Sequence, residues 1–189
     1  MNQTGKNSEA VKYRLSEAMK KCMEYSSVEK ISVKEITQKC GVTRQTFYRN
    51  FRDKYDLINW YFGKILEKSY EQLGEGKTVY EGLVRKFRCI SSEESFFREA
   101  FKNDNQNCLR EYDYQESRRY YREELEKKRG KKLSGDLDFQ LEMYTRGCVH
   151  MTVQWVLGNR PSTPEKLAEQ LTDAIPQKLG AEFRSARML

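Results

Sequence analysis

Residues 31–58, ISVKEITQKCGVTRQTFYRNFRDKYDLI, constrain the fold more tightly than any other stretch of the chain. Ser32 can cap a helix, and Val33, Ile36 and Cys40 follow it at three- and four-residue steps, so one face of a short helix is apolar. Gly41 supplies a backbone position that can turn left-handed and end that helix. Thr43 can cap a second helix, in which Phe47 and Phe51, four apart, face inward while Arg44, Gln45, Thr46, Tyr48 and Arg49 stay outside. Two short helices around a glycine turn form a helix-turn-helix. The outward face of the second carries long donors, an amide and a phenol, a set that suits a DNA major groove better than bulk water.

The charge distribution agrees with that face. Residues 1–60 hold 12 Lys and Arg against 7 Asp and Glu, whereas residues 61–189 hold 23 against 21, so most of the formal +7 sits on the segment with the motif. Neutralising phosphates is what gives a DNA-binding module its non-specific affinity. Hydrophobic residues make up 38% of the chain and mean hydropathy is −0.90, with no apolar run of membrane-spanning length and no charged-then-apolar secretion signal at Met1–Asn7. A cytoplasmic protein with no membrane partner is expected. Cys22, Cys40, Cys89, Cys108 and Cys148 are odd in number, widely spaced and without a CxxC pair, which predicts reduced structural thiols and no zinc site. With one histidine, no glycine-rich phosphate loop and no metal-spaced cluster, no enzymatic activity, cofactor or metal is expected.

The rest of the chain reads as helices. Ser8 can cap a first one carrying Val11, Leu15, Ala18, Met19, Cys22 and Met23 on one stripe and ending near Tyr25–Ser27, with Lys12, Arg14, Lys20 and Lys21 on a solvated face. A fourth helix starts at Asp53 and runs to Leu73, where Gly74-Glu75-Gly76 breaks it. Further helices are predicted over 77–90, 93–103, 106–129, 136–158 and 164–180. Segment 106–129 is long and charge-laced, and Lys127–Lys132 after it reads as an exposed loop. Segment 136–158 is apolar on more than one side, with Phe139, Met143, Gly147, Met151 and Trp155 stepping by four, so neighbours or a partner chain must enclose it. Ser162-Thr163-Pro164-Glu165 is a cap followed by a proline suited to a first turn.

Taken together, the Gly41-Val42-Thr43 turn, the Thr46-Phe47-Tyr48 core, Phe51 and the Asp53-Lys54-Tyr55-Asp56-Leu57 helix opening resemble the DNA-binding domain of the tetracycline-repressor (TetR) family of bacterial transcriptional regulators. Cys40 departs from the family's usual alanine, but both are small. The resemblance implies an all-α protein, with a three-helix DNA-binding domain at residues 1–52 and a helical regulatory and dimerisation domain at 53–189. It also implies a homodimer on an inverted-repeat DNA operator, acting as a repressor by the family's name, although the residues do not decide between repression and activation. The implied DNA contacts are Ser32, Thr43, Arg44, Gln45, Thr46, Tyr48, Arg49 and Lys54. Arg44 and Gln45 would reach base edges, and helix starts near Ser32 and Asp53 would hold phosphates with Lys54 and the Tyr48 hydroxyl. The family's usual small-molecule effector would be lined by Phe87, Phe96, Phe97, Phe101, Tyr112 and Tyr144, with His150 as a titrating group. Val153, Trp155, Leu167, Leu171 and Ile175 are the expected dimer residues. The stretches FREAFKNDNQNCLREY and VQWVLGNRPSTPEKLAEQL are similar, more loosely, to the subgroup with activators of dihydroxyacetone-kinase operons. That keeps a protein coregulator, or a protein-interaction adaptor without a small ligand, as the alternative.

Overall fold

The computed structural model describes residues 3–102, 109–159 and 161–189, with side chains from Ser8 onward. The described residues form ten helices and no strand: α1 Gln3–Met23, α2 Val33–Cys40, α3 Arg44–Asn50, α4 Lys54–Tyr70, α5 Val79–Ser92, α6 Glu94–Lys102, α7 Leu109–Arg129, α8 Gly135–Val156, α9 Pro164–Asp173 and α10 Gln177–Ser185. None of these helices is long and apolar enough to cross a membrane. The all-α expectation is met. Residues 103–108, including Cys108 and the expected start of the helix over 106–129, lie outside the described residues.

The chain packs as two compact units, residues 1–62 with 94–109, and residues 63–93 with 110–189. In the first, α1 packs on α2, α3 and α6, and the faces that meet are the ones the periodicity marks. Leu15, Met19, Ile31, Ile36, Phe47, Leu57 and Phe62 are buried, each such side chain contributing roughly 1.5–3 kcal/mol of transfer free energy. Ser8 does not cap α1. The helix begins earlier, and the Ser8 hydroxyl donates to Asn50 Oδ1 at 3.0 Å. Nor are the basic residues of α1 simply solvated: Lys12 lies over the Phe51 and Trp60 rings, Arg14 donates to the Cys40 carbonyl at 2.9 Å, and Lys20 lies over the Tyr61 ring. Long cationic side chains cover apolar surface with their stems while their heads stay wet.

In the second unit α5 packs on α9 and α8 on α10. The helix expected over 164–180 is two helices, because Pro176 has no N–H to give the carbonyl four residues back and its ring clashes there. Thr163 caps α9 by accepting from the Lys166 N–H, with Pro164 in the first turn as read from the sequence. The basic run after residue 126 is not all loop. Lys127 to Arg129 form the last turn of α7, with Lys127 on Glu75 at 2.6 Å and Arg129 on Glu182 at 3.0 Å, and Gly130 ends the helix at φ +65°. Cations near a helix C-terminus oppose its dipole and hold the run helical.

Candidate nucleic-acid interface

The turn that presents α3 is built from complementary hydrogen bonds. Ser32 Oγ accepts from the Glu35 N–H, and the Glu35 carboxylate accepts from the Ser32 N–H at 2.6 Å, a reciprocal capping box that begins α2. Gly41 stands at φ +68°, ψ +37°, where its N–H donates to the Gln38 carbonyl and the next, Val42, donates to Thr37 at 3.0 Å. A side chain at that φ would be strained, which is why glycine ends α2. Thr43 Oγ1 accepts from the Thr46 N–H at 3.1 Å and starts α3. Removing such a cap costs about 1 kcal/mol.

On α3 one side is closed and the other open. Phe47 is fully buried, and Phe51, at the C-cap, lies 5.9 Å from it between ring centroids. Arg44, Gln45, Tyr48 and Arg49 are exposed, with Tyr48 at 58%, and Thr46 is half-buried with its hydroxyl 3.0 Å from that of Thr43. The side chains of Arg44, Gln45 and Arg49 make no hydrogen bond or ion pair to the described residues. Two guanidinium groups and an amide on one short helix thus project donors into solvent at a cost in neither desolvation nor lost partners.

Lys54 is placed differently from a free surface lysine. Its ammonium donates to the carbonyls of Glu29 and Ile31, both at 2.8 Å, and clamps the α1–α2 loop to the start of α4. Burial pulls its pKa below the usual 10.5 against the opposing pull of Glu29, Asp53 and Glu35. Two of its three N–H bonds are therefore spent inside the protein. The helix starts are partly closed too: Asp53 Oδ1 accepts from the N–H groups of Tyr55 and Asp56, and Ser32 from that of Glu35.

Of the seven residues named for a ligand, three belong to the first unit and four to the second. Phe97 and Phe101 pack on Phe62 in the first unit, with Phe96 beside Phe97. Phe87 packs on Trp155 and Tyr144 donates to the Leu171 carbonyl at 3.1 Å in the second, while the Tyr112 hydroxyl abuts Gly63. His150 is exposed on α8. Of the residues named for a dimer, Val153, Leu167 and Leu171 are buried inside the protomer, because they fill the α5–α9 and α8 core; Trp155 and Ile175 are half-buried, the Trp155 indole donating to the Ser162 carbonyl at 2.8 Å. The large apolar side chains left open on α8 are Phe139, at 67% exposure, and Met143, at 54%.

Sequence reasoning missed the buried pair of the second unit. Lys86 Nζ donates to both carboxylate oxygens of Asp113 at 2.7 Å, with side-chain exposures of 3% and 0%. A signal existed, since Lys86 falls at the inward step of the stripe Leu83, Phe87, Ile90 on α5. The capping box was legible as Ser32-x-x-Glu35 and recurs at Thr78 and Glu81. Among the described residues no group of three or more His, Cys, Asp or Glu could hold a metal ion.

Residues 20–61 match the family described as "Bacterial regulatory proteins, tetR family", and residues 77–177 match "Transcriptional regulator C-terminal region". The chain is 28% identical over 94 residues to the HTH-type dhaKLM operon transcriptional activator DhaS of Lactococcus lactis subsp. lactis (strain IL1403), and it spans about half the length of that curated relative (48%). Among solved structures it is similar to a dihydroxyacetone kinase operon activator DhaS (TM-score 0.61, 19% identity, covering 92% of this chain and 96% of that one). It is also similar to a TetR transcriptional regulator from Rhodococcus sp. RHA1 (TM-score 0.58, 15% identity, 89% and 99%). A third likeness is to RolR in complex with resorcinol (TM-score 0.51, 18% identity, 96% and 95%). At these identities the solved structures speak for the fold, while the C-terminal match alone covers more than half of the 189 residues. The chain belongs to the TetR family of bacterial regulatory proteins.

Proposed function

We propose that this protein is a sequence-specific, DNA-binding transcriptional regulator that works in the cytoplasm as a homodimer on an inverted-repeat operator. Residues 1–52 read DNA, and residues 53–189 carry dimerisation and control by a small-molecule effector. The observation that carries this reading is the unpartnered donor face of α3, set on buried Phe47 above a rigidly capped turn. Arg44 forks onto guanine, Gln45 onto adenine, and Thr46 offers a methyl to thymine. Thr43, Tyr48, Arg49, Ser32 and Lys54 position the domain on phosphates. Lys54 has one donor to spare for that task. The dimer face is the open stripe of α8, where Phe139, Met143, Gly147 and His150 share one side, with Ile175 at its margin. A protein coregulator in place of the effector is the second reading.

The test is a binding series on DNA from upstream of the protein's own operon and on a scrambled duplex, across salt. Arg44→Ala and Gln45→Ala should each cost about 1–3 kcal/mol at the preferred site and relax specificity there. Lys54→Gln keeps a donor for the loop but removes the charge, so it should weaken both duplexes alike and lower the salt slope by about one. Equal, salt-independent losses for all three substitutions would sink the assignment.

A further inference from the structure

The carboxylates at the start of α4 change what a DNA backbone can find there. Asp53 Oδ1 accepts from the N–H groups of Tyr55 and Asp56, at 2.9 and 2.8 Å, and Asp56 Oδ2 accepts from the N–H of Arg52 at 2.9 Å. The donors that an open helix start offers to a phosphate are therefore occupied, and two negative charges stand beside them. A phosphate at this point has to be held by side chains. Lys54 has committed two of its donors to the carbonyls of Glu29 and Ile31. Other cations of the first unit are also engaged in its own fold: Lys12 lies over the Phe51 and Trp60 rings, Arg14 donates to the Cys40 carbonyl, and Lys20 donates to the Tyr61 hydroxyl at 2.7 Å.

Arg52 is placed the other way round, with a fixed backbone and a free side chain. Phe51, 3% exposed, donates its N–H to the Phe47 carbonyl at 2.9 Å on one side, and Asp56 holds the Arg52 N–H on the other. The Arg52 side chain itself is 84% exposed. Its one ion pair among the described residues is to Asp53, 3.7 Å from Nε to Oδ2, with that carboxylate also in solvent. A pair so long and so exposed contributes little, so a phosphate can replace it at small cost. The guanidinium fork matches two phosphate oxygens at once, which the single ammonium donor left on Lys54 does not. Arg52 stands just past the C-terminus of α3, four residues beyond the exposed Tyr48. We propose that Arg52 grips an operator phosphate beside the C-terminal end of α3. The inference rests on the DNA-reading function proposed above, and it adds a contact that sets how α3 lies in the groove rather than which bases it reads.

The test uses the full chain in a salt series on upstream DNA and a scrambled duplex, joined to a scan in which each backbone phosphate of the upstream duplex is replaced in turn by an uncharged methylphosphonate. Arg52→Gln should melt with the parent, because the side chain makes no close bond within the fold. It should lower the slope of log affinity against log salt by about 0.9 on both duplexes. In the scan it should become insensitive to one phosphate per half-site whose neutralisation weakens the parent. A general loss of charge would lower the slope without selecting a phosphate. Arg52→Lys keeps the charge and loses the fork, so it should recover the slope and the sensitivity to that phosphate while binding less tightly than the parent. An unchanged slope, a loss confined to the preferred duplex, a scan identical in parent and Arg52→Gln, or a variant that melts lower would each overturn the Arg52 contact and leave DNA reading in place. A parent that binds neither duplex would overturn the DNA-reading function and this contact with it.

Discussion

Glu35 illustrates how single residues hold the reading head. Its carboxylate accepts from the Ser32 hydroxyl and the Ser32 N–H, and these two bonds keep its pKa below the usual 4.5. Since the folded carboxyl is the more acidic, its contribution is whole above the unfolded value and disappears as pH falls through the lower folded one. Glu35→Gln should therefore lower the melting temperature near neutrality and flatten the acid limb between about pH 5 and pH 3, with parent and variant converging below that. An acid limb identical in parent and variant would remove the capping box from the explanation. The pattern Ser32-x-x-Glu35 is visible in the sequence because both partners belong to one turn. Lys54 is the contrary case: the carbonyls it clamps, Glu29 and Ile31, lie more than twenty residues away, so its basic side chain reads as a surface charge until the loop is folded.

Among the elements, α8 shows why a hydrophobic pattern names buried faces without naming their partners. Its inner side, Leu141, Tyr144, Cys148 and Val153, fills the protomer, and Phe139 and Met143 on another side are left in solvent. Gly147, between them and His150, has nothing within 4 Å of where a Cβ would stand, so the stripe is open along its length. Two substitutions on this one helix should then behave differently. Phe139→Asp or Met143→Asp should yield a folded monomer by light scattering and circular dichroism, whereas Val153→Asp buries an unpaired charge and should unfold the protein. A Phe139→Asp protein that stays dimeric at micromolar concentration would move the interface elsewhere. The break between α9 and α10 was legible at Pro176, but a continuous apolar spacing through Leu171, Ile175 and Leu179 masks it when periodicity is read alone.

For the whole molecule, the proposed two-fold dimer would present two copies of α3 to one side of a duplex, so the operator should be an inverted repeat. Half-site centres about 34–36 Å apart, one turn of B-DNA, or a multiple of that, are expected. Selection of bound sequences from a random pool and a footprint on the winner would check this; a lone, non-repeated site bound by one protomer would contradict it. The two helices of the motif, their Ser32 and Thr43 caps, the glycine turn and the outward residues of α3 were determined by sequence alone, because each depends on hydrogen bonds and side-chain spacing within a few residues. Only the tertiary structure decided which buried side chains meet. It sent Phe97 and Phe101 to Phe62 and Phe87 to Trp155, left His150 outside, and joined Lys86 to Asp113 across 27 positions. An inward face is a property of one helix, but a contact depends on how distant helices dock, and aromatic and aliphatic side chains carry no label for the partner they will pack against.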